Sequence, residues 1–216
     1  MKRPVGIALL FVFIIAIAIC FDVVLHAASP ETAKNIKDLD NTNKDVKITA
    51  IGKLAVSKEN DALNALINKL KSEKENRIKI KYIEALSVYG SSTAVQAITS
   101  MLNDPSPYVR QSAIVELGYF GYDESVSPAI GKVLENEADE SVKLSAINTL
   151  KNQKNKTAVN ALGKQIGKGN KRNIQEAAVN ALGGMGTEEA KAELKKYEKD
   201  ALMGKAVRDI LNKKKK

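Results

Sequence analysis

The chain has 216 residues, of which 44% are apolar, 27% charged and 5% aromatic, and its formal net charge is +9. This balance is typical of a globular protein with an ordinary core. The only cysteine, Cys20, and the only histidine, His26, lie near the N-terminus, so residues 29–216 contain no thiol nucleophile, no histidine base and no Cys/His zinc site. We therefore expect no cofactor, no metal site and no enzyme activity.

The first segment, residues 1–28, has the features of an export signal. A basic start is followed by an apolar run from Val5 to Phe21, and two alanines at the end of the segment suit signal-peptidase cleavage. An uncleaved membrane anchor within residues 5–25 is one alternative, because the run is near the shortest length that spans a bilayer. Lipid attachment at Cys20 is another. All three predict an exported protein of the periplasm or cell envelope.

Residues 29–44 are polar with little periodicity, and we interpret them as a linker or a frayed first helical turn. An apolar pattern then repeats over residues 45–211, and residues 212–216 form a basic tail. Successive copies are 32, 31, 33, 32 and 28 residues apart, the last copy being the weakest, and the central residues are Ile51, Ile83, Ile114, Ile147, Val179 and Val207. A second apolar set with helical spacing follows each of the first five copies, and in the third copy it consists of Val126 and Ala129. Each unit is therefore predicted to be a helix A, a short turn and a helix B.

The clearest copy is "DPSPYVRQSAIVELGYFG", residues 104–121. Asp104 can cap a helix whose first turn accepts Pro105, and Arg110 is predicted to reach back to carboxylates such as Asp104, joining one unit to the next. This pattern resembles the HEAT repeat in the short bacterial form also found in phycobilisome lyases, and "AAVNALGGMG" at 177–186 matches its second half.

The resemblance implies an all-α fold, a right-handed α-solenoid of about five helix pairs with a C-terminal capping helix. It also implies that B helices line the concave face. Members of the family are mainly scaffolds and partner-binding proteins. HEAT-like hydroxylases bind iron through histidine and glutamate, and the lack of histidine beyond residue 26 excludes that chemistry here.

Two surfaces are candidates for binding a partner. Polar side chains on the B helices can hydrogen-bond an extended peptide, and the positions selected by register are Asn64, Asn68, Gln96, Ser100, Asn160, Lys164 and Lys196. Two tyrosines beside the third A-to-B turn, Tyr119 and Tyr122, lie outside the repeat pattern and suit a contact surface.

The sequence favours a non-catalytic scaffold that binds another protein or a peptide in the bacterial cell envelope. The alternative is a basic module that docks on an anionic polymer or membrane surface, using the lysine-rich stretch from Lys53 to Lys81 and the tail. Strong salt dependence would distinguish this alternative. Export makes a nucleic-acid partner unlikely.

Overall fold

The computed structural model describes residues 28–167 and 169–213. The predicted signal or anchor segment, with Cys20, and the last three lysines of the basic tail lie outside the described residues. Within the described part the chain forms twelve α-helices and no strand, which confirms the predicted all-α class. Its contacts divide the chain into two compact units, Met1–Ala65 and Leu66–Lys216.

The first unit contains helix α1 (Pro30–Asp38), helix α2 (Lys44–Ser57) and the start of α3 (Asn60–Ser72). Helix α1 packs on α2 and buries Thr32 and Asn35. The Glu59 carboxylate accepts hydrogen bonds from the Ser29 amide, the Ser29 hydroxyl and the Thr32 hydroxyl, at 2.8–2.9 Å. These bonds hold the start of α1 and lower the pKa of Glu59.

The interpretation of residues 29–44 as a linker is therefore wrong for the part that forms α1. The sequence carries a helix-start signal there: Ser29 is the N-cap, Pro30 occupies the first turn and Glu31 is acidic in that turn. Such a short polar helix is marginal alone. Its order depends on Glu59, about thirty residues away, and periodicity within the segment could not reveal that contact.

The second unit continues from α3 through four further helix pairs and a last helix. These helices are α4 (Asn76–Tyr89), α5 (Ser92–Ser100), α6 (Pro107–Leu117), α7 (Val126–Asn136), α8 (Glu140–Gln153), α9 (Lys156–Ile166), α10 (Arg172–Met185), α11 (Glu188–Lys195) and α12 (Gly204–Leu211). The A helices α4, α6, α8 and α10 pack side by side, as do the B helices α7, α9 and α11. With α2 and α3, this arrangement confirms the predicted five helix pairs and capping helix.

The turn between helices A and B follows the expected chemistry in two of the pairs. Gly90 and Gly186 end α4 and α10 with φ of 66° and 68°, values that favour glycine. Ser91 and Thr187 then cap the next helix, each accepting a hydrogen bond from the amide three residues later. The third pair differs, because a 3-10 turn at 118–120 lengthens its connection.

The core of each pair comes from one face of helix A and one face of helix B. The B-helix core positions recur every 32 residues and are almost completely buried: Leu66, Ile98, Ile130, Leu162 and Leu194. None of the described helices combines the length and the apolar character needed to cross a lipid bilayer.

Candidate functional site

The B helices of the second unit expose two rows of side chains. One row contains Gln96 on α5, Pro128 on α7 and Asn160 on α9, and the other contains Ser100, Lys132, Lys164 and Lys196 on α5, α7, α9 and the end of α11. All seven are exposed, and neighbours within each row are 32 residues apart in sequence. The side of these helices that carries both rows is called the B face.

Small residues form the floor of the B face between the rows. A Cβ added to Gly131 on α7 would lie 3.2 Å from the Cβ of Ala161 on α9, so the two helices approach closely at this point. Ala129 lies in the same turn of α7 as Gly131. Two hollows lie here: Ala129 is in the lining of one, and Gly131 and Ala161 are in the lining of the other.

The hollows are adjacent and share Lys132. The first has a volume of about 610 Å³ and lies between the end of α5 and helix α7, with Thr99, Leu102, Ala129, Lys132 and Val133 in its lining. The second, of about 320 Å³, lies between α7 and α9, and its lining includes Gly131, Lys132, Glu135, Asn160, Ala161 and Lys164. Together they make a surface that can receive an extended chain crossing three B helices.

Among the described residues, one charged side chain beside the hollows has no ion-pair partner. Lys164 Nζ lies 2.5 Å from Glu135 Oε1, and Lys196 Nζ lies 2.5 Å from Glu193 Oε2. No carboxylate among residues 28–167 and 169–213 lies within ion-pair distance of Lys132. The ammonium of Lys132 is therefore available to an anionic group of a ligand.

The first hollow is bounded by charged groups that link α6 to the end of α7. Arg110 on α6 forms a double hydrogen bond with Glu137, with Nε–Oε2 and Nη2–Oε1 distances of 2.7 Å. The guanidinium also donates to the carbonyl oxygens of Asp104 and Pro105. The contact with Glu137 lowers the pKa of this carboxyl and raises the pKa of Arg110.

Arg110 links α6 to the connection that follows α7, and its carboxylate partner is Glu137 rather than the predicted Asp104. The Asp104 side chain instead pairs with Lys79 at 2.6 Å and accepts a hydrogen bond from the Ser106 amide at 2.9 Å. The guanidinium of Arg110 extends to Glu137, the residue that follows α7. These fixed pairs hold the rim of the first hollow.

The residues predicted from the B-helix register are all exposed, and the structure brings two of them together. Asn160 and Lys164 line the second hollow. Gln96 lies in the same row as Asn160 but lines neither hollow, and Asn64 and Asn68 are exposed on α3. Asn64 belongs to the first unit and Asn68 to the second.

The tyrosines form a separate surface. Tyr119 and Tyr122 are 71% and 74% exposed and line neither hollow. The ring of Tyr122 packs edge-to-face on Phe120, with centroids 6.2 Å apart. Tyr108 and Val115 are exposed one above the other on α6, and Tyr119 is exposed in the 3-10 turn that follows this helix, so this apolar surface belongs to the A-helix side of the third pair.

The sequence reasoning missed Pro128 and Lys132. It placed the core of α7 at Val126 and Ala129, whereas the large apolar side chains buried on this helix are Val126, Ile130 and Leu134. The signal was available in the 32-residue period of the B helices, because Lys132 lies 32 residues before Lys164 and 32 after Ser100. No group of three or more acidic, cysteine or histidine side chains suited to a metal occurs in the described part of the chain.

Helix pairs that repeat every 32 residues and pack A on A and B on B define a helical-repeat protein. The profile of the family described as HEAT repeats matches residues 32–118 and 127–202, so the chain belongs to the HEAT-repeat family. The resemblance noted in the sequence is thereby confirmed. A search of curated proteins found no match.

Solved structures similar to this chain include designed and natural proteins. An engineered protein from the Northeast Structural Genomics Consortium is 18% identical, with a TM-score of 0.50 over 85% of this chain and 96% of that one. A designed armadillo repeat protein in complex with the peptide (KR)4 is 15% identical, with a TM-score of 0.50 over 85% and 100%. The CpcE–CpcF complex of phycocyanin lyase from Nostoc sp. PCC7120 is 18% identical, with a TM-score of 0.44 over 86% and 95%.

Proposed function

We propose that this protein is a non-catalytic scaffold that binds an extended segment of another protein along the B face. The observation that carries the proposal is the pair of adjacent hollows above small residues on α7 and α9. The rows on either side supply amide, ammonium and hydroxyl groups that can hydrogen-bond a peptide backbone. The designed armadillo protein of the same fold binds a peptide, which agrees with this use of stacked helices.

The non-catalytic part of the proposal rests on the side chains available. Residues 29–216 contain neither cysteine nor histidine, and the Glu137 carboxylate at the hollows is held by Arg110. A pre-formed surface without a reactive group suits recognition by shape and hydrogen bonding, in which the partner is held and released unchanged.

The proposal is tested by filling the first hollow. We expect peptides selected from a random displayed library to bind the full chain and to bind Ala129→Trp more weakly, on the order of tenfold or more, because the indole occupies the peptide's space. The matched control is Val115→Trp, which adds the same group to the half-exposed A-helix face. Affinities are measured by fluorescence anisotropy with labelled peptides.

The opposite pattern would refute binding at the B face. If Val115→Trp or Tyr119→Ala weakened the selected peptides and Ala129→Trp did not, the tyrosine surface on the A helices would be the binding site. Circular dichroism of each variant separates a blocked site from a loss of folding.

The electrostatic alternative has less support from the side-chain contacts. Three lysines of the basic stretch already face carboxylates: Lys53 lies 3.9 Å from Glu31, Lys79 pairs with Asp104, and Lys81 pairs with Glu84. Their charge is partly compensated within the protein, which lowers the attraction to an anionic surface.

We also propose that the scaffold works in the cell envelope, exported through residues 1–28. The apolar run and the alanines that follow it support this location. The expected result is that the protein fractionates with the envelope of its source cell and that its mature N-terminus begins near residue 29. An intact N-terminus on a protein from the envelope membrane would indicate an anchor, and recovery in the cytosol would contradict export.

A further inference from the structure

We propose that the lysine row of the B face, Lys132, Lys164 and Lys196, selects a peptide with an acidic side chain at every third position. This inference rests on the proposed function, since it assigns a chemical class to the ligand of the same face. The three lysines occupy equivalent positions on α7, α9 and the end of α11, and all are exposed. The face therefore presents one cation on each successive helix.

The spacing of the helices sets the spacing of the ligand's charges. Helices α7, α9 and α11 pack directly on one another, and packed helices lie about 8–10 Å apart. A polyproline II peptide rises about 3.1 Å per residue with three residues per turn, so every third side chain points the same way at about 9 Å intervals. A peptide in this conformation that crosses the helices matches one carboxylate to each lysine.

The ion pairs already present on the face show that its lysines accept carboxylates in this position. Glu135 and Glu193 occupy Lys164 and Lys196, and the Lys164 pair is solvent-exposed on both sides. Exposed ion pairs are weak and exchange partners easily. Lys132 has no carboxylate partner among the described residues, so a ligand carboxylate can bind it without displacing a carboxylate of the protein.

The floor of the B face fits the ligand residues that lie between its acidic positions. Above Gly131 and Ala161 the hollow has room for small or cyclic side chains of the bound peptide. A bulky residue between the acidic positions would contact this floor before the carboxylates reached the lysines. The preferred ligand therefore combines acidic residues with proline or alanine.

The test uses the labelled peptide EPAEPAEPA and the full chain, with fluorescence anisotropy as the readout. We expect Lys132→Gln to weaken binding about two- to fivefold, and the triple change Lys132→Gln, Lys164→Gln, Lys196→Gln to weaken it by about tenfold or more. Lys205→Gln, an exposed lysine on α12, is the matched control and should leave binding unchanged. The uncharged peptide QPAQPAQPA should bind more weakly than EPAEPAEPA.

The isomer EEEPAPAPA separates spacing from total charge, because it has the same composition. Equal binding of the two isomers would overturn the proposed spacing and indicate a nonspecific attraction to polyanions. Absence of EPAEPAEPA binding, while library peptides still bind and are blocked by Ala129→Trp, would overturn the acidic ligand and leave the scaffold function standing. If neither EPAEPAEPA nor the library peptides bound the protein, both the acidic ligand and the scaffold function would be overturned.

Discussion

Replacing Ile114 by alanine is expected to lower the free energy of unfolding by about 2–5 kcal/mol, the usual cost of truncating a large buried aliphatic side chain. Ile114 has no exposed surface, and its helix α6 packs between α4 and α8. The cavity left by the truncated side chain would therefore open where three successive helix pairs pack together. Urea denaturation followed by far-UV circular dichroism measures the change.

The adjacent Val115 provides the control. It is 46% exposed on the opposite side of α6, so Val115→Ala should change the free energy of unfolding by less than about 0.5 kcal/mol. Similar losses for both variants would mean that α6 is not packed between its neighbours as the structure has it.

Replacing Glu137 by alanine is expected to destabilise the fold by about 1–3 kcal/mol, because it leaves the guanidinium of Arg110 without its carboxylate in a largely buried place. The side chains of Arg110 and Glu137 are only 17% and 5% exposed. Two backbone carbonyls would remain as acceptors, but neither carries a full charge. Thermal and urea unfolding of the variant, beside Arg110→Ala and the double variant, isolates the energy of the pair.

This contribution should depend on pH in a defined direction. Because Arg110 lowers the pKa of Glu137 in the folded state, the pair contributes fully above the pKa that glutamate has in the unfolded chain. The contribution is lost as the pH falls through the lowered folded-state pKa. The stability difference between the wild type and Glu137→Ala should therefore shrink in acid.

Glu135→Ala removes an exposed ion pair and is the matched control for both measurements. Its carboxylate is 41% exposed and its partner Lys164 is 64% exposed, so a loss below about 1 kcal/mol is expected. An equal loss for Glu135 and Glu137 would contradict the special role of the buried pair.

The repeat architecture could be predicted because burial imposes its period on the sequence. Ile83, Ile114 and Ile147 recur at nearly constant intervals, and each fills the same place in its unit. Glycine at positions 90 and 186 marked turns for a steric reason that acts within a few residues. The apolar period and the turn glycines both act on nearby residues, and the same local structure recurs in successive helix pairs.

The remaining differences come from contacts that a local pattern does not contain. The order of α1 depends on Glu59 in the connection between α2 and α3. Asp104, the partner predicted for Arg110, is paired with Lys79 of an earlier helix, and Arg110 pairs with Glu137. The second hollow is lined by Gly131 and Ala161, which approach closely across two helices, and the one-residue error in the core of α7 concealed Lys132 from the sequence analysis.

The constant period of the B helices has a consequence for how such a protein evolves. The A-helix core positions shift by one residue at Ile114, yet Ile98, Ile130 and Leu162 stay 32 residues apart. The connection from Gly118 to Ser125 absorbs the shift. Duplication of one whole unit in the gene would therefore add a helix whose surface residues are in phase with the existing rows. The number of ligand residues recognised could then grow in steps of one unit, without any change to the residues already in place.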